Sequence, residues 1–120
     1  MSEPDRAVTV VSNSSGHRIK LKIWFQDSSG RAFFGEGLVE LLQEVDKHQS
    51  ISVAAREARM SYRYALHRIS VAEKRLGLRF VDRRRGGGTN GGAQLTEEGR
   101  YFLQKYLDAK RCLEELAHSI

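Results

Sequence analysis

Five of the seven residues from Gly86 to Gly92 are glycine, so no helix or strand interior can run through them. Glycine loses the most backbone freedom on ordering and brings no side chain to pack, so the run divides the chain. On one side stands Phe80-Val81-Asp82-Arg83-Arg84 and on the other Ala93-Gln94-Leu95, each long enough for one short strand. Two short strands around a glycine tip read as a hairpin. Its basic root carries Arg83, Arg84 and Arg85, and Thr89 and Asn90 supply polar groups at the tip. Thr96 then caps a further helix, with Glu97 and Glu98 set against the positive end of its dipole.

Upstream of the hairpin the periodicity is helical. Leu38, Leu41, Leu42 and Val45 form one apolar face over Glu36 to His48. A short second helix follows, capped by Ser50 or Ser52, in which Ala54, Ala55 and Ala58 allow close approach. Ser61 caps a third, whose inward stripe is Tyr62, Ala65, Ile69, Ala72 and Leu76, and Gly77 ends it. Two helices joined by Arg59-Met60 over an alanine-rich face describe a helix-turn-helix. With the hairpin behind it, the expected fold is an α+β winged helix-turn-helix.

The flanks complete the expected architecture. Residues 1–16 are rich in Ser, Asp and Asn and read as a flexible tail. From Arg18, Ile19, Leu21, Ile23 and Phe25 alternate with polar residues as in a half-buried strand. Asp27-Ser28-Ser29-Gly30 turns the chain into a return strand at Ala32 to Phe34, an N-terminal β-hairpin with Trp24 on its outer face. Residues 17–120 thus form one domain, closed by a long C-terminal helix at about 97–120. Along that helix Phe102, Tyr106, Ala109, Leu113, Leu116 and Ile120 recur four and three apart, a seam suited to homodimerisation.

Charge then narrows the partner. Twenty Lys and Arg against fifteen Asp and Glu give a formal net charge of +5, which favours a polyanion. The start of the chain lacks the apolar core of a signal peptide and no apolar run is long enough to span a bilayer, so a cytoplasmic protein is expected. A single cysteine, Cys112, fits a reducing compartment and is expected to be packed rather than catalytic. The sequon Asn13-Ser14-Ser15 is therefore expected to be unused. His17, His48, His67 and His118 have no metal-ligand spacing with one another or with Cys112, so neither an enzyme nor a metal or other cofactor is expected.

With the third helix packed by its stripe, Ser61, Arg63, Tyr64, His67 and Arg68 remain on its open N-terminal half. That half of a recognition helix meets base edges. Arg63 and Arg68 suit bidentate contacts to guanine, while Ser61, Tyr64 and His67 suit phosphates or bases. The arginine-glycine hairpin lacks the Lys-Ser/Thr ending of a phosphate-binding loop and is shorter than RNA-binding arginine-glycine segments. A basic wing gripping DNA backbone accounts for both its charge and its strands.

Ser50-Ile51-Ser52-Val53-Ala54-Ala55, Met60-Ser61-Tyr62-Arg63, Leu76-Gly77, Arg84-Arg85-Gly86-Gly87-Gly88, Gly91-Gly92-Ala93 and Leu95-Thr96 together resemble the N-terminal domain of ModE. ModE is the molybdate-dependent transcriptional regulator family, whose DNA-binding domain is similar to the LysR-type winged helix-turn-helix. The resemblance spans about Lys20 to Ala117. It implies a DNA-binding homodimer, with the first and last helices at the interface and the third helix in the major groove. Carried over by position, the DNA-facing residues are Ser61, Tyr62, Arg63, Tyr64 and His67, with Arg84, Arg85 and the glycine tip on the wing. Tyr62 is assigned inward by periodicity and outward by resemblance. Full-length ModE proteins continue into molybdate-binding domains, and this sequence ends at Ile120, so no molybdate site is expected within it. A signal would then enter through a partner, a modification or the Lys20 to Phe34 hairpin.

The expected function is a DNA-binding transcriptional regulator acting as a homodimer on duplex DNA. Two alternatives use the same features: a sequence-indifferent architectural DNA-binding protein, and a protein-interaction module built on the heptad helix.

Overall fold

The computed structural model describes residues 9–83 and 92–120. Three two-stranded antiparallel hairpins and four helices follow in the order β1 (Thr9–Ser12), β2 (Arg18–Leu21), β3 (Trp24–Gln26), β4 (Ala32–Gly35), α1 (Glu36–His48), α2 (Ile51–Glu57), α3 (Tyr62–Leu76), β5 (Val81–Arg83), β6 (Ala93–Leu95) and α4 (Glu97–Ser119). This is the α+β winged helix-turn-helix that the periodicities predict. The core lies where α1, buried through Leu38, Leu41, Leu42 and Val45, meets Ala54 and Ala55 of α2 and Ala65, Ile69 and Ala72 of α3.

Two expectations for the N-terminus are corrected. Residues 9–12 do not trail as a tail; they pair with β2, Thr9 opposite Leu21 and Ser12 opposite Arg18. Asn13 drives the turn, its Oδ1 accepting from the backbone N–H groups of Ser15 (3.1 Å) and His17 (2.8 Å). The polar composition that reads as disorder is turn chemistry. The same contacts bury Asn13, so the sequon asparagine is committed to the fold. Further along, the alternating run from Arg18 to Phe25 is two strands rather than one. β2 ends at Leu21 and serves β1, while β3 begins at Trp24 and pairs with β4.

The β3–β4 hairpin is held at its turn by Asp27, whose Oδ1 accepts from Ser29 Oγ (2.7 Å), Ser29 N (2.9 Å) and Arg31 N (3.0 Å). The Ser29 hydroxyl, then the Arg31 amide, hold that carboxyl below its ordinary value. A register shift beyond Phe25 leaves Phe33 unpaired, with Phe25 opposite Phe34 and Gln26 opposite Ala32. Consecutive strand residues normally point to opposite faces. The bulge lets both Phe33 and Phe34 reach Phe102 of α4, with ring centroids at 5.7 and 6.1 Å.

α4 opens with Thr96 Oγ1 accepting from Gly99 N at 2.9 Å, as its sequence position predicts. Its apolar seam divides. Tyr106 is 1% exposed and Phe102 is half-buried, both packed within the chain's own core, because the β3–β4 hairpin folds onto this half of the helix. Leu113, Leu116 and Ile120, 39, 59 and 68% exposed, lie beyond that cover, with Ala109 between the two halves. Cys112, expected to be packed, is exposed on the same outer stretch.

The Tyr106 hydroxyl donates to Glu36 Oε1 at 2.6 Å, with the Ile23 carbonyl 3.0 Å away as a second acceptor, and Lys110 Nζ reaches Glu36 Oε2 at 2.9 Å. Burial first, and the Glu36 carboxylate second, push the phenol well above its ordinary pKa of 10.0. A raised folded-state pKa contributes stability that is complete below the unfolded value and lost as pH rises beyond it. Stability should therefore decline from about pH 10 upward. Tyr106→Phe should cost about 1–2 kcal/mol at neutral pH yet lose less on alkaline titration, measured by urea unfolding at each pH. A parallel alkaline decline in both proteins would remove Tyr106 as its cause.

Candidate nucleic-acid interface

The turn between α2 and α3 sets the angle at which α3 is presented. Arg59 takes a left-handed conformation (φ 61°) just past the end of α2. Met60 N donates to Ala55 O at 2.9 Å and Arg59 N to Arg56 O at 3.1 Å, closing α2 with a Schellman motif. Met60 packs on the core, so the chain leaves in a fixed direction. Ser61 Oγ then accepts from Tyr64 N at 3.0 Å and starts α3. Ser50, not Ser52, plays the same part for α2, accepting from Val53 N at 3.1 Å.

Ser61, Tyr62, Arg63, Tyr64 and His67 are all exposed, and Arg68 is half-exposed. Tyr62 resolves against the inward stripe: it is 49% exposed, and burial on this face begins at Ala65. The first turn of α3, from Tyr62 to Tyr64, is thus exposed, and the helix enters the core only from Ala65 onward. Tyr64 is 42% exposed, with the Arg68 guanidinium carbon 5.9 Å from its ring centroid. The sequence from Tyr62 to Ala72 contains no carboxylate, so this stretch of α3 adds positive charge and no negative charge to the exposed face.

The root of the wing is fastened to this helix. Glu73 Oε2 of α3 accepts from Phe80 N (2.7 Å) and Val81 N (3.2 Å) as the chain enters β5. On the return, Ala93 N donates to the carbonyl of Gln49 at the end of α1 (3.0 Å), and Thr96 N to that of Phe80 (2.9 Å). β5 and β6 pair Val81 with Leu95 and Arg83 with Ala93, and Arg83 is exposed. Arg84, Arg85, Thr89 and Asn90, expected on the wing, lie outside the described residues.

Some neighbours of this surface are invisible in the local sequence. Lys22 and Trp24 border the flank of α3 that carries Tyr64, His67, Arg68 and Arg75. The β3–β4 hairpin and the link leading into it bring Trp24 and Lys22 there across about forty residues of chain, and no local periodicity carries such a contact. Elsewhere Glu44, His48 and Glu57 place ligand atoms within 4.8 Å of one another. Histidine spacing alone does not reveal this cluster, because Glu57 comes from α2. It holds an ordinary His48–Glu44 contact at 3.1 Å on a solvent-facing side of α1. Among the described residues no helix is long and apolar enough to cross a membrane.

Residues 37–100 match the family described as bacterial regulatory helix-turn-helix protein, lysR family. The chain belongs to this family. The matched span runs from the start of α1 through the helix-turn-helix and wing to the first turn of α4. Among solved structures, the chain is similar to the crystal structure of a BenM_DBD/benA site 1 DNA complex. The two share 21% identity and a TM-score of 0.51, over 68% of this chain and 84% of that one. At that identity the likeness concerns the fold. Among curated proteins, none matches the chain significantly.

Proposed function

We propose that this LysR-family chain binds duplex DNA as a homodimer and regulates transcription in the cytoplasm, with α3 in the major groove and the wing on flanking backbone. The carrying observation is the exposed, carboxylate-free first turn of α3, fixed in direction by the Arg59–Ser61 turn. The likeness to a fold solved in complex with DNA supports the same reading. In this assignment Arg63, Tyr64 and His67 face bases. Ser61 uses its oxygen as a helix cap and keeps its hydroxyl proton for a phosphate, and the exposed Tyr62 hydroxyl is placed to do the same. Arg68 supports the Tyr64 ring, and Arg83, Arg84, Arg85, Thr89 and Asn90 grip backbone. Within the family, the Met60 to Arg63 helix start and the glycine-rich wing favour a ModE-like DNA-binding domain.

Substitution separates the two halves of the site. Arg63→Ala should weaken the cognate site by ~1–3 kcal/mol and relax its specificity. Arg83→Ala should weaken all sequences alike and flatten the dependence on salt. Binding isotherms on cognate and random duplexes at several salt concentrations read both effects. A regulator should prefer its site by ~10³ or more, and equal affinity for every duplex would favour an architectural protein instead.

The dimer contact falls to the part of the seam that the core leaves open. Leu113, Leu116 and Ile120 are exposed, and Tyr106 is not. An aspartate in that stripe would bury an unpaired charge at the interface. Leu113→Asp should therefore yield monomers in sedimentation without loss of helix content. An unchanged mass would overturn the homodimer contact at this stripe and leave Leu113, Leu116 and Ile120 open to a different partner.

A further inference from the structure

At 3.6 residues per turn, Tyr64, Arg68, Val71 and Arg75 form one row along α3, and Glu73 stands about half a turn away from it. Glu73 fastens the root of the wing. The opposite row borders the β3–β4 hairpin across a cavity of about 440 Å³. α3 is therefore bracketed, with the wing root on one side and the hairpin on the other. Both hairpin strands precede the matched span 37–100, so the family match gives this flank no role. The flank is held in place, because Arg75 Nη1 donates to the Ala32 carbonyl and Phe34 is buried in the core. What it shows to solvent is basic and aromatic. Residues 17–35 carry Arg18, Lys20, Lys22 and Arg31 against one carboxylate, Asp27, whose Oδ1 is taken by Ser29 and the Arg31 amide. Lys22 and Trp24 are exposed and line the cavity facing α3. The Lys22 ammonium stands 5.6 Å from the Trp24 ring centroid, so charge and ring are presented together. Among the described residues no carboxylate pairs with that ammonium, and no acceptor meets the indole N–H.

We propose that Lys22 and Trp24 form a second backbone contact, gripping the DNA strand that walls the major groove on the side of α3 away from the wing. This contact rests on the DNA-binding reading. A helix with its side chains is about 10–12 Å across and the major groove of duplex DNA is about 12 Å wide, so α3 fills the groove. An element standing beside α3 then meets the groove wall, which is sugar and phosphate, rather than base edges. The Lys22 ammonium and the indole N–H both donate and neither accepts, which suits a phosphate. The Trp24 ring, 48% exposed, supplies an apolar face for the adjoining deoxyribose while its polar edge stays at the phosphate. An RNA helix does not fit the same bracket, because its major groove is too narrow to admit α3. Phosphate contacts fix orientation without reading sequence. The hairpin therefore sets the angle of α3 in the groove and adds affinity to every duplex alike.

Trp24 is the only tryptophan in the chain, so its emission reports this contact directly. The 120-residue chain is titrated with a duplex selected for tight binding and with a random duplex, at several salt concentrations. Either duplex should shield Trp24 from quenching by neutral acrylamide. Lys22→Gln, at an exposed position outside the core, should lower the slope of log affinity against log salt by about 0.9, the share of one phosphate. The ratio of affinities for the two duplexes should not change, because no base contact is lost. Lys105→Gln removes the same charge from an exposed position on α4 and should leave the slope as it was. In a chain that still binds duplex, a Trp24 equally open to acrylamide with and without DNA would overturn the hairpin contact. So would an unchanged slope for Lys22→Gln, or an equal fall for Lys105→Gln, which would assign the effect to net charge. Each of these leaves the DNA-binding reading standing. A chain that binds neither duplex would end that reading, and the hairpin contact with it.

Discussion

Gly99→Ala should destabilise the protein by about 2–4 kcal/mol, although helix propensity alone argues for the opposite sign. Alanine in place of glycine inside a helix normally adds roughly 1 kcal/mol of stability. Gly99, however, lies in the first turn of α4, where a Cβ would stand 2.3 Å from the Phe80 carbonyl oxygen and 3.1 Å from its carbon. Backbone must then move, and both sides are fastened. The Phe80 carbonyl accepts from Thr96 N and its amide donates to Glu73, while Gly99 N donates to the Thr96 cap. Overpacking against side chains typically costs ~1–3 kcal/mol, and a clash with pinned backbone belongs at or beyond the top of that range. The clash outweighs the propensity gain. Urea denaturation of the two proteins decides it, and an equal or higher midpoint for the alanine variant would refute the close approach. The wing root should suffer with the helix, so duplex affinity should fall in parallel.

Phe34→Ala should cost about 3–5 kcal/mol, the range for a deeply buried aromatic. Phe34 is 1% exposed and touches five rings: Phe25, Phe33, Phe80, Phe102 and Tyr106, with centroids between 5.6 and 6.3 Å. It therefore joins three things at once: the N-terminal hairpin, the root of the wing and the first half of α4. Because those elements come from distant parts of the chain, they cannot collapse independently into the space the ring leaves. Trp24 emission should shift toward that of solvated tryptophan before the helices melt, since Trp24 sits on the hairpin that this ring fastens to the core. Loss of only about 1 kcal/mol, with Trp24 unchanged, would show that the hairpin is held by something other than this ring.

Much of the helical scaffold is legible from local signals because each signal acts over one or two turns. Ser50, Ser61 and Thr96 stand at helix starts and accept the amide three residues on, and Gly77 ends α3 in the left-handed region. The α1 stripe is buried at every position its periodicity names. The misreadings share one physical cause. Tyr62 and Ala65 carry the same period, but only the second is packed in the core. Tyr106 and Leu113 lie on one seam, but the hairpin covers only the first. Residues 9–12 look like a tail because their partner strand begins nine residues after the first of them. A period states which side chains share a face and is silent about what that face meets.

The candidate site divides in the same way. That a basic helix would be capped at Ser61 and projected by a short turn is written in the sequence, because capping, turn geometry and charge are properties of adjacent residues. That Arg83 would stand on a hairpin rooted by Glu73 depends on a contact eight residues long, and the type of residue alone does not announce it. The cavity beside α3 is further removed. Lys22 and Trp24 reach Arg68 and Arg75 only after the hairpin, α1 and α3 have packed, driven by apolar burial that is indifferent to which polar groups it brings together. By itself, then, the sequence determined the helices, their caps, the turn and the sign of the charge. Tertiary structure decided which faces stay open, because burial requires a partner surface and that partner comes from elsewhere in the chain.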